Sequence, residues 1–149
     1  MFTSLLIAVV LVAVTVSVHT AGFALILQAV TRAHTAAPIQ GWLAIVWVLI
    51  RVTWWFLLIH GAEITVWALC YLWVGCLPDA ESAFYFSGAT YTTIGYGDLV
   101  LVKPCRMLGP VEGLTGILMC GLSTAFFFVI VDRRILQPIR EEKGPTLTP

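Results

Sequence analysis

Charge is the scarcest resource in this chain. Eight Lys and Arg stand against eight Asp and Glu in 149 residues, 11% charged in all, with no formal net charge. A soluble domain of this size carries about twice that share, and a neutral chain gives no electrostatic footing for nucleic acid. No arginine ladder of the kind that senses voltage is present. No nucleophile–base pair or phosphate-cradling loop points to an enzyme, and no internal repeat is visible. Cysteine is sparse too, at four residues.

What is present is apolar sequence: 60% of residues are hydrophobic and mean hydropathy is +0.96. This makes the chain an integral membrane protein of one domain, 1–149, with no length left for a separate soluble module. Phe2 to Val30 is an apolar run broken only by Thr3, Ser4, Thr15, Ser17, His19, Thr20 and Gln28. It exceeds the ~20 residues that cross a bilayer core. A cleaved leader is the competing reading, but a basic start is missing and the run is long for one. Residues 1–31 are therefore expected to be a first span. His19 and Gln28 in it are expected to be satisfied locally, with hydrogen bonding to another helix as the alternative.

Pro38 suits the first turn of a second helix, expected over 39–76. That is long for one span. Counting back from Cys76 puts the inner interface near Trp54 and Trp55, with Arg51 reaching headgroups and Trp73 near the outer belt. Residues 40–50 must then tilt, lie along the interface, or pack on the first span. His60 and Glu63 are one turn apart at mid-membrane, where an ionisable side chain is a functional candidate by default. Their spacing is that of two metal ligands, yet the further ligands zinc needs are missing. The expected role is structural, with Glu63 bonded to His60 or to a neighbouring helix; proton-sensitive gating is the alternative.

Residues 77–106 are expected to form a loop that dips into the membrane. Asp79 can cap a helix from Ala80 to Tyr91, with Glu81 complementing its dipole. Such a helix is only ~18 Å long, so it suits a re-entrant element buried in protein better than a span. It leads into Thr92-Thr93-Ile94-Gly95-Tyr96-Gly97-Asp98. Two glycines alternating with larger residues let a strand switch the sign of φ. Successive carbonyls can then face one side, and rings of such oxygens can replace the water shell of a cation. The last span is expected over 107–132, and 133–149 as a short disordered cytoplasmic tail.

The stretch TTIGYGD, preceded by a short helix and flanked by apolar segments, resembles the selectivity filter of tetrameric potassium channels, specifically the small prokaryotic-type two-helix pore family. Ile94 stands where valine is commoner. The likeness covers roughly residues 54–132, and the first span has no clear counterpart in it. It implies an all-α fold of three membrane helices with a re-entrant pore helix and filter loop between the last two, assembled as a homotetramer, since one filter copy is a quarter of a cage. It implies K+ held by the carbonyls of Thr93, Ile94, Gly95 and Tyr96 with the Thr93 hydroxyl, Gly97 giving freedom at the outer mouth. K+ would be the permeant ion, with no cofactor and no nucleic acid. Thr92, Asp98, Tyr85 and Phe86 would support the filter, Tyr85 and Phe86 holding the positions of an aromatic cuff that many relatives build from tryptophan.

The resemblance also matches Gly116 to the family's hinge glycine. Ile117, Cys120, Thr124 and Phe128 then fall on one helix face and line the cavity, and a ring of Phe128 could gate by dewetting. Ala89 departs from relatives that carry a glutamate there, paired with the acid after GYG. Glu112 is the candidate substitute, with Arg106 and Thr115 as its alternative partners. Some inward-rectifier channels bridge cysteines that flank the pore loop, which implies a Cys76–Cys105 bond if the outside is oxidising. Cys70 and Cys120 read as packing residues. Arg32, Arg133, Arg134, Arg140 and Lys143 on one side, against Lys103 and Arg106 on the other, place the C-terminus in the cytoplasm and the N-terminus outside. The expected location is the plasma membrane and the expected function passive K+ conduction. A weakly selective cation channel, or a non-conducting regulatory subunit, are the alternatives.

Overall fold

The computed structural model describes residues 2–34 and 41–137. All regular structure among them is helical: α1 (Phe2–His34), α2 (Trp42–Val74), α3 (Ala80–Tyr91), a 3-10 turn (Cys105–Met107), α4 (Leu108–Val131) and a π turn (Asp132–Leu136). Inside a bilayer no water is available to backbone groups, so long apolar segments satisfy themselves as helices. Three of these are long and apolar enough to cross: Thr3–Ala29, Trp42–Val74 and Cys105–Val131. The chain is an all-helical, multi-pass membrane protein, with the short α3 between the last two spans.

The second helix is unbroken for 33 residues, about 50 Å at the usual rise. Of the courses open to residues 40–50, lying along the interface would need a bend, and the helix has no break over the part described. Val48 packs with Val52, Phe56 and Ile59 in a cluster that includes Ile26 of α1 and Ile130 of α4, while Trp42, Leu43 and Trp47 stay exposed. Pro38 and the basic tail residues Arg140 and Lys143 lie outside the described residues. After α4 ends at Val131, a π turn continues from Asp132 to Leu136, so helical structure extends past the expected start of the tail.

A second apolar cluster sits nearer the loop between α3 and α4, with Leu11 of α1, Trp67 and Tyr71 of α2, Phe86 of α3 and Leu108 and Met119 of α4. The Ser4 hydroxyl donates to the Pro104 carbonyl at 3.1 Å. The start of α1 therefore lies on the same side as the loop that follows the glycine strand. Cys76 and Cys105 are joined in a disulfide with Cα atoms 5.9 Å apart, closing the base of that loop.

Gly116, expected as a hinge, has a packing explanation. A Cβ there would lie 2.0 Å from the Tyr91 carbonyl oxygen, too close for any contact, and α4 runs through the position without interruption. A Cβ at Gly121 meets nothing within 4 Å. Gly116→Ala is expected to cost about 1–3 kcal/mol or more through overpacking against backbone, and Gly121→Ala less than about 0.5 kcal/mol. Thermal unfolding of the two variants in detergent checks this; equal midpoints would contradict the close approach.

Candidate functional site

The helix ahead of the glycine strand is fixed at both ends. Asp79 Oδ1 accepts the Ser82 amide at 2.8 Å and Oδ2 accepts the Ser82 hydroxyl at 2.9 Å. These bonds favour the carboxylate and hold Asp79 below its ordinary range. At the far end the chain leaves the helix through Thr92 N to Gly88 O, 3.1 Å, and Thr93 N to Thr90 O, 3.0 Å. Gly95 N then reaches back to Ala89 O at 3.0 Å. Gly116, against which Tyr91 ends, is eight residues into α4, about 12 Å from its start. The strand thus begins well along a helix long enough to cross a membrane.

From there φ changes sign at each step. It is +62° at Thr93, +52° at Gly95 and +77° at Gly97, and negative at Ile94 and Tyr96 between them. The glycines take this conformation without a Cβ penalty. Thr93, β-branched, is a true outlier, held at a cost of about 1–3 kcal/mol. Such strain persists only where its surroundings over-determine it, and it concentrates at functional sites. Thr92 to Asp98 are all exposed in the single chain. Among the described residues, no hydrogen bond ends on the carbonyl oxygens of Thr93, Ile94, Gly95 or Tyr96.

Tyr96 stacks on Tyr85, ring centroids 6.5 Å apart and nearly parallel at 9°. The Tyr85 hydroxyl donates to Asp98 Oδ2 at 2.7 Å, and this bond pushes the phenol above its usual range. Phe86, expected in the same cuff, instead turns its ring edge-on to Tyr71, 5.3 Å away. One helical step separates two roles.

Two buried carboxyl groups hold α3 from behind. Glu112 is fully buried and receives hydrogen bonds from Tyr71 of α2 at 2.6 Å and Ser87 of α3 at 2.5 Å. These are none of the expected partners, Asp98, Arg106 or Thr115: Thr115 donates to the Val111 carbonyl and Asp98 accepts from Tyr85. Ser87 Oγ also lies 3.0 Å from the Ile64 carbonyl. Glu63, likewise fully buried, meets His19 Nδ1 at 2.8 Å, His60 Nδ1 at 3.2 Å and the Tyr91 hydroxyl. His60 Nε2 continues the network to Ser123 of α4 at 3.1 Å.

The local satisfaction expected for His19 is thus corrected: its bond crosses from α1 to α2. The available signal was an ionisable residue at membrane depth in the first span. Ser87 and Ser123 gave no signal, because a serine hydroxyl in a helix can bond its own backbone; Tyr71 and Tyr91 gave none, because an aromatic ring in an apolar run reads as packing. On α4, Ile117, Cys120, Thr124 and Phe128 are all exposed in the single chain. The Thr124 hydroxyl bonds back to Cys120 O at 2.9 Å.

A protein-family model described as an ion channel matches residues 59–133, half of the chain. The match takes in the outer half of α2, α3, the glycine strand and α4, and leaves α1 and the start of α2 outside. No curated protein and no solved structure matches the chain.

Removing the Glu112 carboxyl leaves the Tyr71 and Ser87 hydroxyls buried without their acceptor. Glu112→Ala is expected to cost about 1–3 kcal/mol per stranded group, whereas Glu112→Gln keeps an acceptor for Tyr71 and recovers most of that. Unfolding midpoints of the two variants against the parent check it; an alanine variant as stable as the glutamine one would contradict the buried bonds.

Proposed function

The chain belongs to the ion channel family, and on that premise we propose that it is a potassium-selective pore, assembled as a homotetramer in the plasma membrane. Passive conduction of ions is the family's activity. Selectivity for K+ rests on one observation above all: a strand of alternating backbone handedness whose carbonyl oxygens are uncovered in the single chain. Irregular backbone at membrane depth is tolerated only where it is buried in protein or lines a watery conduit. Further copies of the chain around an axis supply both conditions. Each copy gives one oxygen per level, and four copies give the rings that take the place of the ion's hydration.

Other features support this reading. The C-terminal end of α3, with its partial negative charge, leads into the strand and favours a cation below it. Thr93, Ile94, Gly95 and Tyr96 hold the ion, Gly97 shapes the outer mouth, and Tyr85 with Asp98 braces it. The open face of α4 supports a cavity lined by Ile117, Cys120 and Thr124, with Phe128 at its inner mouth as a hydrophobic gate. With the filter mouth outside, the bond from Ser4 to Pro104 supports an N-terminus outside as well, with Arg32 and Arg133 toward the cytoplasm.

The weakly selective alternative is favoured by a single feature. One tyrosine hydroxyl on Asp98 does the bracing, since Phe86 carries no donor and packs its ring on Tyr71. Bilayer recordings of the purified protein between K+ and Na+ solutions separate the two readings. A reversal potential close to that for K+ alone is expected; a value near zero in equal K+ and Na+ would overturn selectivity. In the same recordings Phe128→Ala is expected to raise the resting open probability, and an unchanged value would remove the gate.

A further inference from the structure

The cluster where α1 meets the pore is better built for a metal ion than its sequence spacing suggests. His60 and Glu63, one turn apart on α2, lack a third ligand nearby in the sequence. The fold supplies one from another helix. His19 of α1 brings its Nδ1 to 2.8 Å from Glu63 Oε1, and one ligand atom from each of His19, His60 and Glu63 lies within 4.8 Å of the others. Around a tetrahedral zinc ion with bonds of about 2.0–2.1 Å, ligand atoms sit roughly 3.3 Å apart. Only a small rearrangement separates the two arrangements, with Glu63 Oε1 moving slightly away from His19 Nδ1 to admit the ion between them.

The orientation of the rings carries the case further. Both imidazoles turn Nδ1 toward the same carboxylate. Both turn Nε2 toward one hydroxyl oxygen, Ser123 Oγ, at 3.1 Å from His60 and 3.5 Å from His19. A metal-bound histidine donates its other N–H to an acceptor that fixes the ring. A hydroxyl oxygen with two lone pairs can serve two such donors. The Tyr91 hydroxyl bonds Glu63 Oε2 and would orient the carboxylate in the same manner. His19 and Glu63 are almost wholly buried, but His60 is 18% exposed. It opens into a recess of about 340 Å³ between α2 and α4 that also reaches Cys120, Ser123 and Thr124. That recess is the route of entry.

We propose that His19, His60 and Glu63 form a binding site for a divalent transition-metal ion, with zinc the best fit to two imidazoles and one carboxylate, and with Ser123 and Tyr91 as outer partners. The bound ion clamps α1 onto α2 beside the residue that precedes the filter. The fourth position is open to water from the recess. This site stands apart from the ion-conducting strand and does not depend on the choice of permeant ion.

The test uses the full chain in detergent, purified through a tag free of histidine, stripped with chelator and titrated with zinc against a competing indicator. One zinc ion per chain is expected, and cobalt in its place is expected to give the visible absorption of a low-coordinate N/O site. His19→Ala should weaken zinc binding at least ~100-fold, and Ser123→Ala, which leaves all three ligands in place, by about 10- to 100-fold. Glu63→Gln, similar in shape but without the anionic ligand, replaces the first variant if His19→Ala does not fold. Absence of stoichiometric zinc on the unmodified chain overturns the proposal, as does unchanged affinity in His19→Ala or Glu63→Gln.

Discussion

Glu63 is the group on which the arrangement of this protein turns. It is fully buried within a membrane-spanning helix, where an unpaired carboxylate is prohibitively costly. The chain meets this demand with donors from two other helices as well as its own: His19 from α1, Tyr91 from α3 and His60 from α2. His60 carries the connection on to Ser123 of α4. Four helices thus meet in one polar layer, with an apolar cluster on either side of it. Interhelical hydrogen bonds in membranes average about 0.6 kcal/mol each, so the layer adds little net stability. Losing one arm of a buried charged set costs about 3–5 kcal/mol. The layer therefore acts through placement, since few relative positions of the helices satisfy it.

What it places is α3. Glu63 holds the end of that helix through Tyr91, and Glu112 holds its middle through Ser87. Gly116 lets the same end approach the backbone of α4. The strand that follows starts from a fixed point and keeps an unfavourable φ at Thr93, which a loosely held loop would relax. At the outer end, Tyr85 catches Asp98 and stacks on Tyr96. The strand is braced from behind while its opposite side stays open.

The membrane class and the three spans were legible because hydropathy reports them directly. The glycine strand was legible for a similar reason, as its conformation needs particular residues at particular places. The positive φ at Gly95 and Gly97 follows the alternation of residues, whereas that at Thr93 does not. The partners of the buried carboxyl groups were not legible. Glu112 had Arg106 and Thr115 within reach along the helix, and nothing in a linear pattern prefers Tyr71 or Ser87 from other helices. His19 looked like an isolated polar residue, because the residue it serves is 44 positions away. Phe86 shows the same limit at short range, where the rotation of one residue decides which neighbour a ring meets.

The claim beneath all of this is that main-chain oxygens of Thr93 to Tyr96, contributed by several copies of the chain, face one shared axis and hold K+. Anomalous scattering from crystals grown with Rb+ in place of K+ addresses it without reference to gating or current. The account predicts a column of peaks on a fourfold axis, each between levels of those oxygens. Peaks elsewhere, or an assembly in which these oxygens face helix or lipid, would contradict it.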